Sequence, residues 1–245
     1  MRTLSWFCLA IPAVVAAQQP GRKVEGEVSG NLFFGNTRQV LASTRAEFER
    51  ADSGSAFRAI GRFNYGETTT DAAGTVVSKR SWNVGSSYDL RPYADFTPFV
   101  RVGTESSFEN RIDRRSGAGA GARYNIARTT GTDAILSAGV AGERTSAIPP
   151  GDSLGVETLA RAITSLRLRR DLTSRVTVTN ETTYQPALTS GNDYTILSIS
   201  ALKMRLARFA ALTLTFRDNY DSRAVLRGAR VNNDGELLVG LLTTF

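Results

Sequence analysis

The chain has 245 residues, a net charge of +7, one cysteine and no histidine. The absence of histidine excludes Ser-His nucleophilic pairs, histidine general bases and histidine metal ligands. A mean hydropathy of -0.18, without any later run of eighteen apolar residues, excludes a helical membrane protein. A basic balance of this kind often indicates nucleic-acid binding, but no nucleic-acid-binding motif is present, so no such partner is expected.

The N-terminus has the features of a secretory signal. Arg2 precedes an apolar run, and small residues that end at Ala17 lead into a polar segment. The run is too short to span a bilayer and is interrupted by Pro12. We therefore expect a signal peptide over residues 1–17, a short tail over 18–22 and export of the mature chain. Because the lone Cys8 lies in the part removed, no thiol, disulfide or cysteine-based metal site is expected.

From residue 23 onward, apolar and polar residues alternate in short segments, as is typical of half-exposed β-strands. In the first segment, Val24 and Val28 share one face, whereas Glu25 and Glu27 share the other. We count about twelve such segments. They begin, in chain order, near residues 23, 40, 57, 76, 96, 114, 132, 159, 175, 194, 209 and 237.

The connections between these segments differ in length in a regular way. A tight turn is expected at Gly35 and Asn36. Short connections are predicted at 52–54, 91–94, 128–131, 171–174 and 207–208. Long connections are predicted at 67–75, 143–157, 185–193 and 221–231. Short periplasmic turns and longer outer loops produce this alternation in outer-membrane barrels.

Aromatic residues on the apolar face fall into two groups. The short-turn ends of the strands are predicted to carry Phe48, Phe57, Tyr88, Phe96, Tyr124 and Phe245. The long-loop ends are predicted to carry Phe34, Tyr65, Phe108, Tyr184, Tyr194 and Tyr220. Two belts of this kind are typical of membrane barrels, whereas a soluble barrel points its bulkiest residues inward. Residues 23–245 are therefore predicted to form an all-β domain, an antiparallel transmembrane β-barrel of about twelve strands in the bacterial outer membrane.

The last segment, Leu237 to Phe245, has the alternation of a closing strand and ends the chain on an aromatic residue. It resembles the C-terminal insertion signal of bacterial outer-membrane proteins. Gly240 and Phe245 fit that signal, while Leu238 and Thr243 depart from it. The expected partners are the barrel-assembly machinery, outer-membrane lipid and phosphate-rich lipopolysaccharide.

Charged residues gather on the opposite, inward face, which is the one functional surface that the sequence offers. The candidate lumen-lining residues are Arg58, Arg62, Arg101, Arg123, Arg161, Arg167, Arg169, Arg217, Glu47, Glu105 and Glu181. The hairpin at 52–54 places Arg58 opposite Glu47 or Glu49, and so predicts an ion pair with one of them.

Two interpretations of this face remain open: a polar network that fills and stiffens the barrel, or a narrow arginine-lined path for anions. About twelve strands is a number between the filled and the channel-forming barrels. A filled or constricted interior is favoured by apolar residues that also point inward. These are Ile60, Phe99, Ile135 and Ile163.

Two other motifs have structural explanations. The glycine repeat from Gly117 to Gly121 lacks the spacing and the helix of a phosphate loop, and inward glycines there are expected to leave room for long side chains from opposite strands. Asp221 and the cluster from Asn232 to Asp234 are candidate calcium ligands, but turn chemistry explains them equally well.

Short motifs near both ends and in the centre of the mature chain point to one family. They are Glu25–Ser29, Gly35–Thr37, Arg114–Tyr124, Ser190–Tyr194, Asp218–Arg223 and Phe245. These motifs resemble those of the salt-induced outer-membrane proteins, a bacterial family of unknown function. The resemblance implies a Gram-negative outer-membrane barrel, and it supplies no catalytic, cofactor-binding or ligand-binding residues.

The sequence thus predicts a non-enzymatic barrel without cofactor or metal, acting as an envelope-structural protein or as a small-solute pore that prefers anions. One alternative is a barrel whose outer loops, 143–157 and 221–231, bind an extracellular partner. A further alternative is an outer-membrane hydrolase that uses a carboxylate or serine site.

Overall fold

The computed structural model of the protein describes residues 21–33, 37–70, 74–148 and 156–244. The expected signal peptide, the Gly35–Asn36 turn and the terminal Phe245 lie outside these ranges. Among the described residues, no helix is long and apolar enough to cross a membrane.

Twelve strands in the described ranges pair antiparallel and close into a barrel, which confirms the predicted fold. The strands are β1 (Arg22–Phe33), β2 (Thr37–Ala51), β3 (Ser55–Thr70), β4 (Gly74–Leu90), β5 (Phe96–Ser107), β6 (Ile112–Thr129), β7 (Thr132–Ala147), β8 (Val156–Asp171), β9 (Val176–Pro186), β10 (Tyr194–Arg205), β11 (Ala210–Asp221) and β12 (Asn233–Thr244). A short 3-10 helix, Val225–Arg227, precedes β12. The barrel closes between β1 and β12, where Gly26 pairs with Thr243.

Side chains alternate between the outside and the inside of the barrel along each strand. Val84, Val140 and Val239 are all more than half exposed, whereas Asn64 and Glu236 are buried. A soluble barrel would reverse this pattern, because burial of apolar surface is what stabilises a fold in water. The apolar exterior matches lipid instead, which is the arrangement of a transmembrane β-barrel.

The two ends of the barrel differ in their connections. We call one the turn end; it holds residues 21 and 244 and the connections 52–54, 91–95, 130–131, 172–175 and 206–209. The opposite end, the loop end, holds the connections 34–36, 71–73, 108–111, 148–155, 187–193 and 222–232. In outer-membrane barrels short turns face the periplasm, so we expect the loop end to face outward.

The predicted long loop at 67–75 is wrong. Strand β3 continues to Thr70 and β4 already begins at Gly74. A bulge between Gly66 and Glu67 shifts the register, so that period-two alternation stops although the strand continues. The connection predicted at 143–157 is also shorter than expected, because β7 continues through residue 147 and β8 begins at residue 156.

Aromatic side chains mark both ends of the exterior. At the turn end the exposed rings are Phe48, Phe57, Tyr88, Tyr93, Phe96, Tyr124 and Phe209. At the loop end Tyr184, Tyr194 and Tyr220 form a row of rings, with centroid separations of 5.9 and 5.4 Å. Amphipathic rings favour the membrane–water interface, which explains this placement. The predicted belt members Phe34 and Phe245 lie outside the described residues.

The glycine-rich strand β6 packs closely against β7. A Cβ at Gly119 would lie 2.7 Å from the carbonyl oxygen of Val140, and one at Gly121 would lie 2.7 Å from the Cα of Gly139. These neighbours are backbone atoms of the adjacent strand, so the expected role, making room for long side chains from opposite strands, is wrong. The glycines instead allow two adjacent strands to approach closely at a corner of the barrel.

Candidate functional site: the barrel interior

Ion pairs cross the inside of the barrel. The Nζ atom of Lys79 on β4 lies 2.6 Å from Asp234 and 2.9 Å from Glu236, both on β12. Because β1, β2 and β3 separate β4 from β12 in the barrel wall, these contacts run through the interior. The interior is therefore narrow enough at this level for side chains from distant strands to meet.

A larger ionic cluster occupies the loop end. We call it the outer plug, and it consists of Arg115, Glu143, Arg161, Asp193, Asp221, Arg223 and Arg227. At its centre the Asp221 carboxylate accepts hydrogen bonds from Arg115 at 2.7 Å and from Arg227 at 2.5 Å. The same carboxylate accepts the backbone N–H of Arg223 at 3.0 Å. Charge-assisted bonds of this kind are the strong ones, and together they order the loop that follows β11.

The second half of the outer plug is centred on Arg161, which is 2% exposed. Its Nε lies 3.1 Å from Glu143, and its Nη1 lies 2.8 Å from Asp193. Arg223 reaches the same Asp193 at 3.7 Å and also binds Glu157 at 2.8 Å. Together, the two halves of the outer plug join four strands, β6, β7, β8 and β11, with the loops 187–193 and 222–232.

The loop 222–232 is folded so that Arg227 points into the barrel mouth. Arg227 is 3% exposed and also donates through Nε to the carbonyl oxygen of Asn110 at 3.2 Å. Gly228 adopts a φ of 87°, which ends the 3-10 turn, and the Asn232 side chain accepts the N–H of Val225. Burial lowers the pKa of the Arg227 guanidinium, and the charge of Asp221 opposes that shift.

The calcium interpretation of the Asp221 region does not fit these contacts. The Asp221 carboxylate is occupied by two guanidinium groups, and Asp234 is paired with Lys79. Among the described residues, no cluster of three or more acidic, histidine or cysteine side chains is arranged to hold a metal ion. The acidic side chains here bind arginine and lysine instead.

The hairpin between β2 and β3 forms the predicted ion pair. Arg58 donates through Nε to Glu47 at 2.6 Å, although Glu49 is the residue directly opposite in the register. Arg45 contacts the same Glu47, and it also lies 3.7 Å from Glu27. The diagonal partner is preferred because Glu47 is buried between two guanidinium groups.

Other candidate residues have weaker or partial contacts. Arg101 lies 3.5 Å from the amide oxygen of Gln185, and Arg217 lies 3.7 Å from Glu236. Arg123 is paired with Asp89, and its guanidinium stacks 4.7 Å above the ring of Phe99. The remaining paired candidates are Glu105, which binds Arg115 at 3.1 Å, and Arg169, which binds Asp171 at 3.2 Å.

Three candidates remain unpaired. Within the described ranges, Arg62, Arg167 and Glu181 form no ion pair. Arg167 and Glu181 sit opposite each other on β8 and β9 and are both exposed, even though their positions face inward. Exposed side chains on the inward face indicate space inside the barrel at their level.

That space is a cavity of about 410 Å³ at the turn end. We call it the turn-end cavity. The charged residues that line it are Arg123, Arg128, Arg167, Arg169, Glu49, Asp89, Asp133 and Asp171. Towards the loop end, a smaller cavity of about 30 Å³ lies beside Lys79 and Glu236, which is room for about one water molecule or two.

Apolar residues also face the interior, and one of them, Ile135, lines the turn-end cavity. Phe99, Ile135 and Ile163 are buried, and Ile60 is half-buried. Gly240, a candidate insertion-signal residue, is also packed inside: a Cβ there would lie 2.7 Å from Ser29 Cβ and 2.9 Å from Thr213 Oγ1. Packing alone therefore requires a glycine at this position of β12.

Several ionic residues of the interior were not among the candidate lumen-lining residues. They are Arg45, Lys79, Asp89, Arg115, Asp193, Asp221, Arg223 and Arg227. Arg115 has the same parity as the inward Arg123 on β6, so extending the alternation outward by two residues would have found it. Asp193, Arg223 and Arg227 lie in loops, where no periodic pattern indicates the direction of a side chain.

Solved outer-membrane barrels share this fold. An outer membrane channel from Pseudomonas putida F1 aligns with a TM-score of 0.52 and 10% identity, covering 95% of this chain and 98% of its own. The NanC porin aligns at 0.49 and 12%, covering 90% and 98%. The translocator domain of the autotransporter NalP from Neisseria meningitidis aligns at 0.48 and 9%, covering 94% and 90%. At these identities the likeness concerns the fold alone.

Among curated proteins, no significant match to the chain is found. The family described as "Protein of unknown function, DUF481" matches residues 26–245, which includes nearly all of the barrel from β1 to β12. The chain therefore belongs to the DUF481 family of proteins of unknown function.

Proposed function

We propose that the protein is a small-solute pore of the outer membrane that prefers anions and is held closed at its loop end by the outer plug. The observation that carries this proposal is the contrast between the two ends of the interior. The loop end is filled by paired, buried charges, whereas the turn end opens into a cavity of about 410 Å³. A polar network that filled and stiffened the whole barrel would not leave such a space.

The preference for anions follows from the charges at mid-depth. Three guanidinium groups at this level, those of Arg62, Arg101 and Arg167, form no ion pair among the described residues, although Arg167 lies opposite Glu181 in the register. Two carboxylates, Glu49 and Glu181, are likewise without an ion pair in the described ranges, so the unpaired groups leave an excess of positive charge. Guanidinium groups stay protonated at any physiological pH, so mobile anions must balance this excess.

The contacts of the interior favour a pore over the hydrolase alternative. Each carboxylate of the outer plug is held by at least one guanidinium group, as with Glu143 by Arg161 and Asp193 by Arg161. A carboxylate held in this way is directed at the guanidinium group and not at a substrate position. The alternative in which outer loops bind a partner is also less favoured, because Arg227 anchors the loop 222–232 inside the mouth.

Single-channel recording in planar bilayers tests the proposal. The parent protein and Arg227→Ser, which loosens the outer plug, are compared under a potassium chloride gradient. We expect larger or longer openings for Arg227→Ser and, for both proteins, a reversal potential displaced toward the chloride equilibrium. Absence of current in both proteins would refute the pore function. It would favour the envelope-structural function, which is the function that the dense ionic network also supports.

A second comparison tests the arginines. Arg62→Gln with Arg167→Gln should move the reversal potential toward zero without loss of conductance. The matched control is Arg170→Gln, because this residue lies on β8 close to Arg167 but on the outward face. If the control and the double variant shift the reversal potential equally, the interior arginines do not set selectivity.

We also propose that the protein shares the salt response of the salt-induced outer-membrane proteins. The motifs that carry the resemblance, apart from Glu25, lie within the matched residues 26–245. Transcript measurement at low and high salt tests this proposal, and unchanged transcript would contradict it.

A further inference from the structure

Three arginine side chains face outward near the loop end of one wall of the barrel. They are Arg80 on β4, Arg114 on β6 and Arg144 on β7, and all three are exposed. We call this set the rim patch. The strands β4, β5, β6 and β7 are consecutive neighbours in the barrel, so the patch lies on one continuous surface.

The strand register establishes the outward direction of Arg114 and Arg144. Arg114 pairs with Ser146 and Arg144 pairs with Ser116, on the same face as the pair of Ala120 with Val140. Val140 is 57% exposed on the exterior, so the whole row faces lipid. The two arginines are therefore diagonal neighbours across β6 and β7, roughly 7 Å apart at Cβ.

Arg80 belongs to the same exterior band. Arg80 pairs with Tyr65, two positions along the strands from the outward-facing pair of Phe63 and Trp82. Its guanidinium lies over the ring of Phe108 at 5.7 Å, which holds the side chain against the wall. Two strand spacings, about 10 Å, separate β4 from β6.

None of the three guanidinium groups has an ion-pair partner among the described residues. Glu109 accepts only the backbone N–H of Arg80 at 3.4 Å, and its other oxygen lies 3.6 Å from Lys79 inside the barrel. Asp113 is exposed beside Arg114, but it forms no ion pair within the described ranges. Glu67, which accepts the hydroxyl of Tyr65 at 2.7 Å, is the further carboxylate on the Arg80 side. The rim patch thus presents three guanidinium groups without an ion-pair partner in the described ranges on a lipid-facing surface.

An arginine on the lipid face of a barrel is unfavourable unless it lies at the interface and meets a counter-ion. The loop end faces outward, where the phosphate-rich lipid of the outer membrane is lipopolysaccharide. Guanidinium groups bind phosphate oxygens in a bidentate manner, and the hydroxyl groups of Ser116 and Ser146 lie in the same rows. We propose that the rim patch binds the phosphate groups of lipopolysaccharide in the outer leaflet. This inference does not depend on the pore function.

The turn end offers a matched control surface. Arg22, Arg50 and Arg170 are also exposed at strand ends, and none of them forms an ion pair among the described residues. They lie at the opposite, periplasmic rim, where the inner leaflet carries no lipopolysaccharide. Any loss of binding that reflects overall charge alone should be equal for the two sets of arginines.

The experiment measures binding of purified lipopolysaccharide to the mature protein in detergent, from the concentration dependence of the thermal unfolding midpoint. The triple variant Arg80→Gln, Arg114→Gln, Arg144→Gln should bind about a hundredfold more weakly than the parent, since each arginine near a charged lipid surface contributes roughly fivefold. The triple variant Arg22→Gln, Arg50→Gln, Arg170→Gln should bind as the parent does. Enzymatically dephosphorylated lipopolysaccharide should not distinguish the three proteins.

Equal binding by the parent and the rim-patch variant would overturn the proposal, and so would an equal loss in the control variant. Phosphatidylglycerol micelles form a further arm, and a shift as large as that with lipopolysaccharide would overturn the assignment to this lipid. Heat-dependent gel mobility verifies folding of each variant. If the triple variant does not fold, Arg114→Gln and Arg144→Gln are measured singly, with a fivefold loss expected for each and no loss overturning the proposal.

Discussion

Replacing Asp221 by asparagine tests whether the outer plug holds the barrel mouth closed. The carboxylate is 2% exposed and receives Arg115 at 2.7 Å and Arg227 at 2.5 Å. The asparagine keeps the shape of the side chain but removes its charge. Arg115 retains Glu105 and Glu143, whereas Arg227 loses its one ion-pair partner among the described residues.

The size of the effect follows from the fate of Arg227. Removing one partner of a buried ion pair costs about 3 to 5 kcal/mol, because the other charge stays buried without compensation. Arg227 belongs to a loop at the barrel mouth, so its release into water limits the cost. We therefore expect a loss of about 3 kcal/mol in the free energy of unfolding, together with longer channel openings.

Urea unfolding in lipid vesicles, followed by tryptophan fluorescence, measures the change. The control is Asp218→Asn, on the same strand but without an ion pair among the described residues, for which we expect a change below about 0.5 kcal/mol. Combining Asp221→Asn with Arg227→Gln should give a coupling energy of about 1 to 3 kcal/mol. The assignment of the plug to Asp221 and Arg227 would be refuted if the stability losses of their two substitutions were additive. It would also be refuted if Asp221→Asn and Asp218→Asn lost the same stability.

Two further predictions concern the barrel wall and a turn. Gly121→Ala should impair folding, because its Cβ would lie 2.7 Å from the Cα of Gly139. Gly142→Ala is the control and should fold, because the space around Gly142 is open. Heat-dependent gel mobility compares the two variants, and equal folding would contradict the close approach of β6 and β7. Hydrogen bonds from the backbone of Ser55 and Gly54 hold the pKa of the Asp52 carboxyl below its ordinary value. The parent should therefore be more stable than Asp52→Ala at neutral pH, and this difference should be lost as the pH falls below the ordinary carboxyl pKa and through the lowered pKa of Asp52. A difference that stays constant down to the acid limit of the unfolding measurement would contradict this.

Much of the fold follows from local periodicity. A strand with lipid on one side and polar groups on the other must alternate, so Val24 and Glu25 already assign the two faces of β1. An ion pair of Arg58 with Glu47 or Glu49 was also predictable, because a short turn brings β2 and β3 into register, and the structure selects Glu47. Alternation fails where the register shifts, and the bulge at Gly66 therefore concealed the continuation of β3 and β4.

The ion pairs of the interior depend on closure of the barrel. Arg115 meets Asp221, and Lys79 meets Glu236, only because strands far apart in sequence face one another across the lumen. The inward direction of Arg227 is set by the fold of a loop, for which the sequence carries no period. The sequence by itself determined the strands, their faces and the membrane. The tertiary structure alone decided which charges pair, since pairing across a closed sheet depends on its curvature and registers rather than on any local pattern.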